Sequence, residues 1–217
     1  MKNQMFLKGK PLRLAVLDYG LFQVHANGRI IGICGYFGRV LSIMPNNMPA
    51  AQLALLGLTP ADITLMVQSH THIDHVGHMD LCPHAPILIA AAERALPRPL
   101  YWSGKRALEW PQANYLLVEE DFALGAGFNV LLCPGHAPGQ LAFMVQLPQT
   151  GSVLLTSDAI SRAAEIDEGF AGSWDVQQAI HHGARLIQMA QERDALVIFG
   201  HSPEQWPDLR KAPHWFE

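Results

Sequence analysis

Short apolar runs bounded by glycine, proline and polar residues recur along the whole chain. Runs of this kind, with turn residues on either side, are typical of β-strands in stacked sheets. We predict strands at residues 12–17, 22–24, 30–33, 63–67, 86–90, 115–118, 128–132, 141–145, 153–156 and 195–199. Asn27 and Gly28, between the second and third of these runs, predict a hairpin turn.

Helical patterns lie between the apolar runs. We predict helices at residues 49–56, 91–96, 101–109 and 175–193, and one further helical turn opened by Thr59 and Pro60. The last helix is the longest, and its apolar residues share one stripe. No linker, internal repeat or low-complexity segment interrupts the pattern, so we expect one domain over residues 1–217.

A cluster of metal-ligand residue types follows the apolar run 63–67. It consists of His70, His72, Asp74 and His75. Imidazole and carboxylate groups bind divalent metals well and add little to a packed core. Alternate residues of an extended loop point the same way, so His70 and His72 can face one ion together. Asp74 and His75 then point elsewhere, which suggests a second ion.

Three later residues repeat this placement. His136, Asp158 and His201 each come shortly after the end of a predicted strand. One such residue alone would more often be a polar loop residue, and the cluster alone could be a histidine-rich surface turn. All of them together favour a metal site over that alternative.

Composition narrows the classes of partner. The 217 residues carry a formal net charge of -4, which offers no basic face for nucleic acid. The three cysteines are widely spaced and form no Cys-x-x-Cys pair, as expected in a reducing cytoplasm. No signal-peptide pattern opens the sequence and no apolar run is long enough to span a bilayer. We therefore expect a cytoplasmic protein that binds neither nucleic acid nor membrane.

The order of these residues resembles the metallo-β-lactamase superfamily. The matching motifs are His70-x-His72-x-Asp74-His75, Pro134-Gly135-His136, Asp158 and Gly200-His201. The C-terminal motif Gly200-His201-Ser202-Pro203-Glu204-Gln205 is similar to that of the N-acyl-homoserine lactonase branch, whose members act in quorum quenching. The resemblance covers residues 60–217 and implies an α/β fold, the αβ/βα four-layer sandwich of two mixed β-sheets flanked by helices.

The resemblance also implies a ligand set and a reaction. By position, one divalent ion would be held by His70, His72 and His136, and a second by Asp74, His75 and His201, with Asp158 bridging the two. Zinc is the expected metal, with iron, cobalt or manganese as alternatives. The implied reaction is attack of a metal-bridged hydroxide on an ester-type carbonyl, with Asp74 as the catalytic proton shuttle.

Three departures from the family pattern concern the surroundings of the metals. Ser161 stands where the lactonases have a tyrosine that can hydrogen-bond the substrate carbonyl, so Ser161 is the candidate substrate-binding residue. Gln140 replaces a histidine that supports the ligands. Asp18 matches a strand-ending Asp-x-Gly motif but precedes the predicted hairpin. Either Asp18 has another role or, as we favour, the N-terminal sheet is abbreviated and the site more open.

We therefore expect a hydrolase that opens a small lactone. Two alternatives stay open: a hydrolase of another ester, a thioester or a phosphotriester, and a metal-binding protein that has lost catalysis. The sequence also leaves open whether the protein forms a homodimer.

Overall fold

The computed structural model describes residues 9–18, 21–26, 29–31, 38–42, 45–101 and 108–217. Its first three strands form an antiparallel sheet: β1 (Leu21–Ala26), β2 (Arg29–Ile31) and β3 (Gly38–Ser42). Their order is β2-β1-β3, with Ala26 opposite Arg29. This pairing confirms the two strands of the predicted hairpin. The turn residues Asn27 and Gly28 lie outside the described residues.

A second sheet is fully parallel. Its strands, in spatial order, are β4 (Met66–Gln68), β5 (Ile87–Ala90) and β6 (Tyr115–Val118). Short helices accompany them: α1 (Pro49–Leu55) precedes β4, α2 (Ile73–Val76) follows it, and α3 (Ala91–Arg94) follows β5. Every residue of β5 is at most 1% exposed, as expected for the central strand of a parallel sheet covered on both faces.

The second half of the chain forms a mixed sheet of five strands. They are β7 (Phe122–Gly125), β8 (Phe128–Leu132), β9 (Leu141–Leu147), β10 (Gly151–Ser157) and β11 (Leu196–Phe199). The order is β11-β10-β9-β8-β7, antiparallel except between β10 and β11. The parallel pair needs a long crossover, which contains α4 (Glu165–Glu168) and α5 (Val176–Glu192).

The hydrophobic core lies between the parallel sheet and the five-stranded sheet. Leu88 and Val118 from the parallel sheet pack against Val130 and Leu141 from the other, and each is at most 2% exposed. Burying one such side chain fully contributes about 1.5–3 kcal/mol. These two sheets therefore form the inner layers of the fold.

Helices cover the outer faces of both sheets. Leu186 of α5 is fully buried and belongs to the same cluster as Met144 and Leu154 of the five-stranded sheet. On the other side, Val76 of α2 packs in a cluster with Ile87 of β5. The arrangement is the predicted sandwich of helix, sheet, sheet and helix.

Some local predictions are wrong and one lies outside the described residues. Residues 12–17 do not form a strand, because only Leu14 pairs, in an isolated bridge with Phe216. The helix predicted at 101–109 falls mainly on residues 102–107, which are not described. The sequence pattern missed β3, β7, α2 and α4. No helix in the described ranges combines the length and the apolar character that crossing a bilayer requires.

Candidate metal centre

The histidine cluster lies where β4 ends and α2 begins. His70 and His72 are in the connection, and His72 is the extended residue that precedes the helix. Because α2 begins at Ile73, Asp74 and His75 lie in its first turn rather than in the loop that the sequence predicted. The change from extended to helical backbone divides the cluster into two pairs.

The other three side chains follow strands that run in the same direction. β8 and β10 are each antiparallel to β9, and β10 is parallel to β11, so the carboxyl ends of β8, β10 and β11 lie at one edge of the sheet. His136, Asp158 and His201 follow these three strands. The Leu141 N–H at the start of β9 donates to Ser69 O at 2.9 Å and joins this edge to the histidine cluster.

The seven predicted side chains come together as two groups. The first contains His70, His72 and His136, and the second contains Asp74, His75, Asp158 and His201. Within each group, one nitrogen or oxygen atom per residue lies within 4.8 Å of those of the others. In the first group, His72 Nδ1 and His136 Nε2 are 2.9 Å apart.

Asp158 contacts both groups. Its Oδ2 lies 3.4 Å from His136 Nε2 and 3.8 Å from His70 Nε2. The same oxygen lies 3.2 Å from His201 Nε2, and Oδ1 lies 3.4 Å from His75 Nε2. Asp158 therefore has the position that a carboxylate shared by two ions would need.

Several of these atoms are buried without a hydrogen-bond partner in the described part of the chain. They include His70 Nε2, His75 Nε2 and Asp158 Oδ1. An unsatisfied buried polar atom costs about 1–3 kcal/mol, so three that converge on one place indicate a partner from outside the chain. Imidazole nitrogens and carboxylate oxygens in this arrangement fit divalent cations.

The two groups differ in their access to solvent. The side chain of His70 is fully buried, whereas that of His201 is 48% exposed. The side chains of His75 and His136 are both 21% exposed. A ligand from solvent can therefore reach the centre from the side of His201.

Burial controls protonation in the first group of the metal-free protein. It lowers the pKa of His72 to about 4 and also lowers the pKa of His136. For His70, burial and the neighbouring His75 lower the pKa well below its ordinary value. These imidazoles are therefore neutral at pH 7 and keep the lone pairs that metal binding requires.

Carboxylates control protonation in the second group. Hydrogen bonding to Asp158 and Asp74 raises the pKa of His201 to about 10. Burial opposes protonation of His75, but the same two carboxylates raise its pKa to about 9. Burial likewise opposes ionisation of Asp74 and Asp158, yet their contacts with His201 and His75 lower both carboxyl pKa values well below the ordinary range.

The backbone around Asp158 is tightly held. Ser157 has a φ of 47°, a left-handed conformation that costs a residue with a side chain about 1–2 kcal/mol. Its hydroxyl donates to Ser69 Oγ at 2.9 Å, next to His70. Gly200 lies so close that an added Cβ would be 2.6 Å from Asp158 Oδ1. Sequence patterns carry no signal for these contacts, because Ser69 and Ser157 are 88 positions apart.

The structure shows where the three residues that depart from the family pattern lie relative to the two groups. Ser161 lies beside the second group, since its carbonyl accepts a hydrogen bond from His201 N at 2.7 Å. Gln140 is fully buried, belongs to neither group, and donates through Nε2 to Leu141 O. The Asp18 N–H donates to Gln52 Oε1 at 2.9 Å, which ties the N-terminal segment to α1.

Comparison with known proteins agrees with this geometry. A sequence profile of the metallo-beta-lactamase superfamily matches residues 32–201, which is more than half of the chain. The chain belongs to the metallo-beta-lactamase superfamily. The matched segment includes all seven side chains of the candidate centre.

Relatives place the chain in the lactonase branch of the metallo-beta-lactamase superfamily. It is 30% identical to N-acyl homoserine lactonase AttM of Azorhizobium caulinodans, over 86% of this chain and 75% of that protein. It is 29% identical to N-acyl homoserine lactonase AiiA of Bacillus thuringiensis subsp. kurstaki, over 93% of this chain and 77% of that protein.

Solved structures share the fold of this chain. An N-acyl homoserine lactone hydrolase with the product N-hexanoyl-L-homoserine at its catalytic metal centre aligns with a TM-score of 0.80 and 22% identity. The alignment covers 96% of this chain and all of that chain. AidC, a dizinc quorum-quenching lactonase, aligns with a TM-score of 0.59 and 21% identity over 90% of this chain and 76% of its own.

Proposed function

We propose that this protein is a dinuclear metal-dependent hydrolase that opens the ring of N-acyl-homoserine lactones. The observation that carries the proposal is the convergence of five imidazoles and two carboxylates in two groups, with Asp158 in contact with both. The relatives named N-acyl homoserine lactonase support a lactone as the substrate.

The two groups define which residues would hold the ions. His70, His72 and His136 would bind one ion and Asp74, His75 and His201 the other, with Asp158 between them. We propose zinc as the metal because it suits sites rich in imidazole, with iron, cobalt and manganese as alternatives. When bound, the ions lower the pKa of a water molecule and polarise the ester carbonyl.

Asp74 is the residue to which we assign proton transfer. Its Oδ2 lies 3.0 Å from His201 Nε2 and its side chain is 15% exposed. In the metal-free protein, contacts with His201 and His75 hold the Asp74 pKa well below the ordinary range, so the carboxylate is ionised. We propose that Asp74 takes a proton from the attacking water and delivers it to the alkoxide oxygen that leaves when the ring opens.

Ser161 is the proposed substrate contact. It lies next to the more exposed group, and its backbone is fixed by the hydrogen bonds from His201 N to Ser161 O and from Ser161 N to Glu165 Oε2. A serine hydroxyl reaches less far than the phenol of the lactonases. This short side chain favours the second candidate function, hydrolysis of another ester, a thioester or a phosphotriester.

A substrate panel tests the proposal. Metal-loaded protein is assayed against an N-acyl-homoserine lactone, a thioester and an aryl phosphotriester, with His136→Ala as the inactive variant. His214→Ala is the matched control, because His214 is exposed and belongs to neither group. We expect lactone turnover in the wild type and the control only. A much higher rate on the thioester or the phosphotriester would support the second candidate, and no turnover on any substrate would indicate lost catalysis.

A further inference from the structure

A buried glutamate connects the two loops that carry the first group of histidines. Glu93 in α3 is fully buried, and its Oε1 accepts hydrogen bonds from Thr71 N at 2.8 Å and Thr71 Oγ1 at 2.5 Å. Its Oε2 accepts a hydrogen bond from Gly139 N at 3.1 Å. Thr71 lies between His70 and His72 in the sequence, and Gly139 lies three residues after His136.

The contacts require both the length of Glu93 and the absence of a side chain at Gly139. A Cβ added at Gly139 would lie 2.5 Å from Glu93 Cβ and 2.8 Å from Ala90 Cβ, so only glycine allows the loop this close to the helix. The Thr71 hydroxyl also accepts a hydrogen bond from Leu100 N at 2.9 Å, which leaves its hydrogen for Glu93. Both carboxyl oxygens of Glu93 are therefore directed at the loops and not at the histidines.

We infer that Glu93 is a positioning residue that sets the distance between the His70–His72 pair and His136, and so the affinity of the first metal ion. His72 Nδ1 and His136 Nε2 lie 2.9 Å apart, although they come from different sheets, and Glu93 links the two loops directly. The second group should depend less on this link, because the hydrogen bonds of Glu93 to Thr71 and Gly139 reach the two loops that carry the first group. The inference rests on the proposed function only in that both need metal at this centre.

Glu93→Gln tests the inference with a minimal change of shape. In either orientation of the amide, its NH₂ group faces the N–H of Thr71 or of Gly139, so one of the two loops loses its acceptor. Contacts that support metal ligands typically change affinity by about 10- to 100-fold when removed. We expect metal content after dialysis against a weak chelator to fall from about two ions per chain to about one. We also expect the visible absorption spectrum of the cobalt-substituted protein to change.

Two further comparisons separate positioning from general stability. Glu120→Gln makes the same substitution at an exposed residue and should leave metal content and spectrum unchanged. Thr71→Val should behave like Glu93→Gln, whereas Thr71→Ser, which keeps the hydroxyl, should behave like the wild type. This pair tests the inference even if Glu93→Gln does not fold.

The readouts distinguish this inference from the lactonase proposal. Folded Glu93→Gln protein that keeps two ions and the wild-type cobalt spectrum would overturn the inference, whatever the activity. A variant that lowers only the unfolding temperature of the metal-free protein would also overturn it. A wild type that binds two ions but leaves lactones intact would refute the proposed substrate and not the role of Glu93.

Discussion

Gly200→Ala should displace Asp158, the residue shared by the two groups. An added Cβ would lie 2.6 Å from Asp158 Oδ1 and 2.5 Å from Ser157 O. An ordinary contact begins at 3.4 Å, so the carboxylate oxygen must move by about 0.8 Å or the strand end must shift. Ser157 O is a backbone atom of a residue with positive φ, so moving the carboxylate alone does not relieve this contact, and the strand end that carries Asp158 must shift as well.

The displacement of Asp158 should lower both the rate of turnover and the stability of the protein. Misplacing a catalytic group by about 1 Å costs on the order of 100-fold in rate, which corresponds to about 2.7 kcal/mol. Overpacking a tight site also costs about 1–3 kcal/mol in free energy of unfolding. For a chain of this size, that should lower the unfolding temperature of the metal-free protein by about 2–12 °C.

The assay is lactone turnover together with metal content. Gly77→Ala is the matched control, because Gly77 follows the same cluster, has helical backbone angles, and has no atom within 4 Å of an added Cβ. That control should keep full activity and metal content. Gly200→Ala protein with wild-type turnover and two bound ions would show that Asp158 tolerates displacement, and the close approach would then have no functional role.

Three further predictions concern individual residues of the centre. Asp158→Asn should weaken both metal sites together in elemental analysis, whereas His201→Ala should mainly empty one. Asp74→Asn should abolish most lactone turnover, and Ser161→Tyr should be neutral or improving; if Asp74→Asn keeps full turnover at unchanged metal content, the proton-transfer role is wrong. In the metal-free protein, the raised pKa values of His75 (about 9) and His201 (about 10) stabilise the fold fully below pH about 6.5. That contribution decreases as the pH rises above about 6.5 and is lost once the pH has passed through 9 to 10. The unfolding temperature should therefore fall between these pH values, and it should fall less in His201→Ala.

The strands could be predicted wherever an apolar run is buried along its length. The runs at β5, β8 and β9 are bounded by turn residues, and their mostly buried or half-buried side chains explain their apolar composition. The run at 12–17 looks similar in sequence, but within the part of the chain that the structure describes its backbone pairs with the C-terminal tail alone. Leu14 and Phe216 exchange two hydrogen bonds and no ladder continues from them. A hydrophobic pattern indicates which residues can be buried. A strand also needs a neighbouring strand that hydrogen-bonds to it along its length.

The histidine cluster could be predicted because its four residues are neighbours in the chain, and the later residues because each follows an apolar run. The groups that hold them in place lie much further apart: Glu93 is 46 residues from Gly139. In the sequence, Glu93 resembles any charged residue of a short surface helix, and only the fold shows that it is fully buried between two loops. Ligand types are therefore visible in sequence because metal chemistry restricts them. The residues that set the distances between ligands can be recognised only from their positions in the fold. A substitution that keeps every ligand can therefore still remove a metal ion.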